Sequence, residues 1–385
     1  MRPRPDRIQR LPEQYFAGLL ARVAAATREE GGEVIDLGRG NPDMGPPQHV
    51  VDALSGAAND PSAHGYPPFR GIPELKQAVA GRYRDVYGVE LDPEREVAVV
   101  PGTKTAIVEV ALCLAERGDT ILLPDPGYPD YTSGVALAGA REERVRLDPE
   151  AAFAPDLATA PREGVAALYL NYPSNPCSSS APRGAFADVV RWAEETGAAV
   201  LHDFAYADLV FDGLAPASFL SEPGAKELGA ELFSMSKSYG MAGWRLGFVV
   251  GNAEIVERVN LLQDHARAGV FRPIQEAAVV ALTGPQATVE ERRSLYQSRR
   301  DRVLAAIPGA RSDSTFYAWW RLPEGLTPER LLAETRVAVA PGEGFGRQGG
   351  GWARISLATP DDRLDAGLAR LHDALADQPA SRNQR

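Results

Sequence analysis

From residue 95 onward the chain repeats one pattern, a short apolar run followed by a turn and, in most cases, an amphipathic stretch of helical period. The runs are EVAVV, TILLPD, GVAALYLNYP, AAVLHD, AELFSMS and RLGFVVG; the helical stretches include TAIVEVALCLAERG, GAFADVVRWAEETG and AEIVERVNLLQDHA. An apolar run without polar alternation must be buried on both sides. Such strands belong to a mostly parallel sheet with helices on both faces. The expected class is α/β.

From about residue 290 a charged helix, EERRSLYQSRRDRVLAAIPG, leads into the strand-like FYAWWRL, VAVAPG and WARISLA, interspersed with helices. That order suits a smaller α+β domain. A length of 385 residues accommodates both units. We expect a large domain over residues 46–284 and a small one from 1–45 and 285–385, because the N-terminal segment is too short to bury a core of its own. No internal repeat or low-complexity tract interrupts the pattern.

Composition narrows the partners. The apolar fraction of 44% and charged fraction of 24% are those of a globular chain. With 52 Asp and Glu against 41 Lys and Arg the formal charge is −11, and no basic stripe offers phosphate neutralisation, so nucleic acid is not expected as a partner. No stretch approaches the roughly 20 apolar residues of a membrane span. The Arg-rich opening, with Asp6, Glu13 and Arg22, reads as a surface amphipathic helix rather than a targeting peptide, which places the protein in the cytoplasm. Cys113 and Cys177 form no C-x-x-C pair, and the five histidines lack metal-ligand spacing; free thiols and no metal are expected.

In open α/β sheets ligands bind beyond the carboxyl ends of the strands, so the residues that follow each run are informative. After EVAVVP come Gly102, Thr103 and Lys104, where the N–H groups of a helix start can hold a phosphate; a plain cap by Thr103 is the alternative. The Walker A spacing is absent. After TILLP, Tyr128 sits in a turn stiffened by proline and glycine, fit to stack on a planar ligand or simply to pack the turn. Asn171 and Asn175 of NYPSNP can bond their own turn or a ligand oxygen. HDFAY places Asp203 at the end of a buried strand, where a carboxylate needs a cation or donors, with Tyr206 three residues on. AELF is followed by SMSKSYGMAGWRLGF, with Ser234, Ser236, Lys237 and Arg245.

Each feature has a bland explanation, yet together they put a phosphate cradle, an aromatic plate, an amide, a carboxylate, a lysine and an arginine on one edge. Pyridoxal phosphate requires all of these: a primary amine for its aldehyde, an acid opposite its ring nitrogen, a stacking surface and a phosphate site. Lys237 fits as the Schiff-base residue, its neutral form favoured by cations such as Arg245. Asp203 fits as the acid behind the ring.

The motifs HGYPPFRG, PGTKTA, DPGYPDY, NYPSNP, HDFAY, SMSKSYGMAGWRLGF and WARISLA resemble, in order and context, those of the class I aminotransferases, the fold-type I pyridoxal-phosphate enzymes. The resemblance runs from LGRGNPD to RISLA. It implies a homodimer with active sites at the subunit interface, in which Tyr66 reaches the phosphate of the neighbouring subunit's cofactor. It implies that Gly102, Thr103, Lys104, Ser234, Ser236 and Arg245 surround the phosphate. Tyr128 would stack on the ring, Asn175 and Tyr206 would bond its 3-hydroxyl, and Asp203 would pair with its nitrogen. Arg354, helped by Gly40 and Asn175, would grip the substrate α-carboxylate, a task for which a forked guanidinium suits better than lysine; by itself Arg354 also fits an exposed strand arginine. Lys237, Asp203 and Tyr206 would be the catalytic set. Two departures stand out: the usual asparagine-proline-threonine-glycine is NPCS, and the frequent acid after the ring-nitrogen aspartate is Phe204.

The reaction so implied is a ping-pong transfer of an amino group between an L-amino acid and a 2-oxo acid, with Lys237 moving the Cα proton. The nearest branch by resemblance is that of methionine-salvage and diaminopimelate-type enzymes, which suggests 4-methylthio-2-oxobutanoate as a substrate. Another reaction on the same scaffold, by a β- or γ-lyase, decarboxylase or oxidase, is the alternative. Arg267 and Arg272 in QDHARAGVFRPIQ are either readers of a distal substrate carboxylate or structural surface arginines.

Overall fold

The structure is a computed structural model and describes residues 3–29 and 32–376. In chain order the strands are β1 Ile35–Asp36, β2 Val97–Val100, β3 Thr120–Asp125, β4 Arg141–Asp148, β5 Ala154–Pro155, β6 Val165–Asn171 and β7 Ala199–Phe204. They continue with β8 Gly229–Ser234, β9 Gly247–Gly251, β10 Ala310–Arg311, β11 Tyr317–Arg321, β12 Val337–Ala338, β13 Ala340–Pro341 and β14 Trp352–Ser356.

The apolar runs form an eight-stranded sheet in the order β2-β9-β8-β7-β6-β3-β4-β5. Strands β8, β7, β6, β3 and β4 are mutually parallel, whereas β9 is antiparallel to both neighbours. β5 is likewise antiparallel to β4. The reversal at β9 has a local cause: between β8 and β9 the chain has only a one-turn helix, Met235–Ser238, and a loop with the 3-10 turn Ala242–Trp244. It lacks the packed crossover helix that a parallel return needs.

Side chains alternate between two cores, as a two-residue period demands. Val97 and Val99, Leu168 and Leu170, Phe248 and Val250 face one side, under the helices Gln48–Ala58, Pro73–Arg82, Ala185–Thr196 and Arg272–Thr283. Ala98 and Val100, Ala167 and Tyr169, Leu201 and Val249 face the other, under Thr103–Leu114, Tyr131–Ala138 and Ala253–Ala266. The Ala185–Thr196 helix shows the covering logic: Phe186, Val189, Val190 and Ala193 form one buried stripe. Burial of each of its larger apolar side chains is worth ~1.5–3 kcal/mol.

A second sheet, β10-β11-β14-β13, is wholly antiparallel and carries Arg354 on β14. β1 pairs in parallel with β12, so the N-terminal segment is tied to the C-terminal part of the chain. The helix Ala287–Ala306 buries arginines as well as apolar groups. Arg292 donates to the carbonyl oxygens of Met44 and Gly45, each at 3.0 Å, and Arg299 meets Asp43 at 2.7 Å. These contacts fix the segment that carries Gly40 to the cavity described below.

Two elements of the large sheet layer are not evident in the sequence pattern. β4 contains Arg-Glu-Glu-Arg and alternates exposed with buried positions, because it lies one strand from the edge. The helix Tyr131–Ala138 follows directly on a proline-rich turn. Among the described residues no helix is long and apolar enough to cross a membrane.

Candidate active site

The carboxyl ends of β6, β7 and β8, the turns after β2 and β3, and the segment around Gly40 enclose a cavity of about 490 Å³. Thr103, Lys104, Tyr128, Asn175, Asp203, Tyr206, Ser234, Ser236, Lys237, Arg245 and Gly40 all line it. The sheet topology thus gathers residues far apart in sequence.

At one end Gly102 precedes the Thr103–Leu114 helix as its N-cap, with no side-chain cap. Thr103 is the first helical residue, so capping by Thr103 is ruled out and the opening N–H groups face the cavity end. Gly102 has φ +87°, and a Cβ there would stand 2.4 Å from Arg245 Nη2. Only glycine meets both constraints at little cost. Arg245, itself at φ 58°, donates to the carbonyl oxygen of Ala242 at 2.8 Å. Ser234 Oγ caps the helix Met235–Ser238, accepting from Ser236 N at 3.1 Å. Lys104 Nζ pairs with Asp130 at 2.7 Å, the same carboxylate that accepts from Tyr128 O–H at 2.7 Å. Two helix starts and an arginine form a concave cationic cradle suited to phosphate.

Asp203 lies at the floor. Its carboxylate accepts from Tyr131 O–H at 2.8 Å and Ala205 N–H at 3.2 Å. Burial nonetheless raises its pKa above the ordinary aspartate value, against the lowering effect of those donors. A positive N–H placed against it would offset that cost. Asn171 spends its amide on the scaffold: Nδ2 donates to Asp203 O at 2.8 Å and Oδ1 accepts from Asn175 N at 2.7 Å. Of its two readings, the turn-bonding one describes it.

Lys237 Nζ is 3.4 Å from Gly40 O and lies over the Tyr206 and Phe316 rings. Its pKa is pushed down from 10.5 to about 8, first by burial, then by the charges of Arg354 and Arg245, with Asp203 opposing. The cause expected from sequence, Arg245, contributes less than burial and less than Arg354. A lysine so placed is partly neutral near physiological pH, hence nucleophilic and able to take a proton.

Arg354 is fully buried, which rules out the exposed-strand alternative. Its Nη1 donates to Asn175 Oδ1 at 2.7 Å and its Nη2 to Gly38 O at 3.0 Å, while Nε has no partner among the described residues. Tyr317 lies under the guanidinium at 4.0 Å, with Phe345 and Phe16 at 4.9 and 5.6 Å. A buried guanidinium without a protein carboxylate awaits an anion. Tyr206 O–H shares a 3.1 Å hydrogen bond with Tyr317 O–H, and a Cβ at Gly40 would stand 2.4 Å from that second hydroxyl.

Tyr66 is not part of this cavity; it is 87% exposed. Arg267 and Arg272 also lie outside, each 2.6 Å from a carboxylate of its own, Glu109 and Glu276. The NPCS loop keeps Asn175 in place because Ser178 adopts the left-handed φ of 54° that a glycine reaches at lower cost. Phe204 is buried and packs edge-on to Tyr87. Sequence reasoning passed over Phe16, Arg39, Tyr131 and Tyr317. The signals available were the apolar face of YFAGLL and the position of Arg39 inside LGRGNPD.

An anion cradle, a part-neutral lysine and a carboxylate behind it define an enzyme that acts on amino groups through pyridoxal phosphate, and the glycine-lined approach at Gly102 fits that group. Residues 32–371 match the family described as aminotransferase class I and II. The chain is 46% identical to the L-glutamine–4-(methylsulfanyl)-2-oxobutanoate aminotransferase of Bacillus subtilis, covering 94% of each. It is 39% identical to the LL-diaminopimelate aminotransferase of Moorella thermoacetica, covering 96% of this chain and 97% of that one. The apo structure of BacF from Bacillus subtilis superposes with a TM-score of 0.91 at 38% identity, over 97% of this chain and 98% of that one. The chain belongs to the class I and II aminotransferases. It is a pyridoxal-phosphate-dependent enzyme that transfers amino groups by a ping-pong route.

Proposed function

We propose that this aminotransferase exchanges the amino group of an L-amino acid with a 2-oxo acid such as 4-(methylsulfanyl)-2-oxobutanoate. Lys237, its pKa pushed down first by burial and then by Arg354 and Arg245, carries the amino-transfer part of the reading. Phe16, 5.6 Å from the Arg354 guanidinium, lines the cavity with Leu19 and Leu20, and this apolar wall supports an apolar side chain; a relative sharing 46% identity is named for that oxo acid.

Pyridoxal phosphate would lie with its phosphate among Thr103, Lys104, Ser234, Ser236 and Arg245, its ring against Tyr128, its 3-hydroxyl toward Asn175 and Tyr206 and its nitrogen toward Asp203. When bound it supplies an aldehyde carbon for the amine and a conjugated ring that accepts the electron pair left on Cα. Arg354 orients the α-carboxylate, with the Gly40 backbone closing the other side. Lys237 Nζ takes the Cα proton and holds it for return, and the reverse half-reaction uses the same nitrogen. Asp203, held by Tyr131 O–H and Ala205 N–H, would face the ring nitrogen.

The working unit in this proposal is a homodimer, with the large domain at 46–284 and the small domain at 1–45 and 285–385. Tyr66 and Phe69, exposed and edge-to-face at 6.5 Å, support a partner surface there; Tyr66 would serve the neighbour's phosphate.

Mixing the holoenzyme with one amino acid and no oxo acid tests the reaction. The expected result is one equivalent of oxo acid per site and then arrest. Continued turnover with release of ammonia or carbon dioxide would assign it to the lyases, oxidases or decarboxylases.

A further inference from the structure

The cavity wall carries four cationic side chains, Arg39, Lys104, Lys237 and Arg245, against one carboxylate, Asp203. Three of the cations are engaged. Lys104 pairs with Asp130, Arg245 donates to Ala242 O beside the cradle, and Lys237 is the reactive amine. Arg39 is not. Its ionic neighbour among the described residues, Asp36, is 3.9 Å away and already accepts from Gly38 N–H at 2.9 Å; the Arg39 side chain is 61% exposed.

Position gives this spare charge a use. Gly38 O accepts from Arg354 at 3.0 Å and Gly40 O is 3.4 Å from Lys237 Nζ. Arg39 thus stands in the chain between the backbone contacts of the two residues that would flank a substrate's carboxylate and Cα. Next to it, a Cβ at Gly38 would stand 3.2 Å from Leu19 Cδ2, and Phe16, Leu19 and Leu20 line the same cavity. An apolar wall accommodates methylene groups, and a guanidinium beyond it accommodates a terminal oxygen acceptor, a carboxylate best because it can accept two parallel bonds.

We infer that Arg39 is a specificity-determining residue that reads a carboxylate or amide oxygen at the end of a substrate side chain. The inference rests on the transamination reading for its biological meaning.

Unreactive analogues separate it from the reaction. Glutarate and pentanoate differ in the terminal carboxylate, and their binding to the holoenzyme is read from the cofactor absorbance and from Tm. Wild type is expected to prefer glutarate. Arg39→Met is expected to lower the glutarate-to-pentanoate affinity ratio by about 10- to 100-fold, the range for a hydrogen bond to a charged group. Arg39→Lys is expected to keep part of the preference. A ratio in Arg39→Met within about twofold of wild type, or a wild type without preference, overturns the assignment. In half-reactions, a larger loss of kcat/KM for glutamate than for glutamine assigns the carboxylate as the preferred group, and the reverse assigns the amide. If the glutarate preference depends on Arg39 but no amino acid yields its oxo acid, the proposed function fails and the Arg39 site stands.

Discussion

Lys237 should record its own environment in the stability of the cofactor-free protein. Moving an amine from 10.5 to about 8 means that its charged form is disfavoured by ~3 kcal/mol in the folded state. Below pH about 8 the lysine is protonated in both states and the folded state carries the whole cost. Between about 8 and 10.5 the folded state has released the proton while the unfolded chain retains it, so stability rises with pH. Lys237→Met removes the titration; the packing offset of methionine is the same at every pH and drops out of the comparison. In denaturant unfolding at unchanged m, the variant should lead by most near neutral pH, and wild type should gain ~3 kcal/mol on it by about pH 10.5. Adding Arg354→Met to both proteins should narrow that span, because the second-ranked cause of the shift has gone. A difference that stays flat across the window would refute the placement of a buried, charge-crowded amine.

Other measurements bear on separate parts of the site. Gly102→Ala carries ~1–3 kcal/mol of backbone strain at φ 87° and ψ 149° besides its contact with Arg245, and cofactor affinity measured by equilibrium dialysis should weaken by about tenfold or more. Arg354→Lys keeps the charge but loses the fork between Asn175 and Gly38, so kcat/KM for amino and oxo acid alike should fall about 10- to 100-fold, mostly through KM. Tyr66→Phe should speed cofactor release about fivefold or more in the assembled protein, and sedimentation at the mass of one chain would remove the basis for that expectation.

The parallel sheet was legible because double-sided burial leaves uninterrupted apolar runs such as TILLPD, which β3 reproduces end to end. The helix Ala253–Ala266 was equally plain from its apolar stripe. β4 was not, since a strand near a sheet edge tolerates Arg and Glu on its open face and loses the periodic signature. Lys237 and Asp203 could be picked out because one follows a recognisable strand and the other lies at the end of one, and the topology of such a sheet dictates that strand ends converge.

The sequence by itself determined the α/β class, the strand-end lysine and carboxylate, the helix start at Gly102 and the likeness to the aminotransferases, all of which depend on residues close together in the chain. Tertiary structure alone decided that Arg354 is buried among Phe16, Tyr317 and Phe345, that Arg267 and Arg272 pair with Glu109 and Glu276, and that Arg39 lines the cavity. Those outcomes depend on packing between segments hundreds of positions apart, where burial and neighbouring charge set an arginine's role and neither is written in its local sequence.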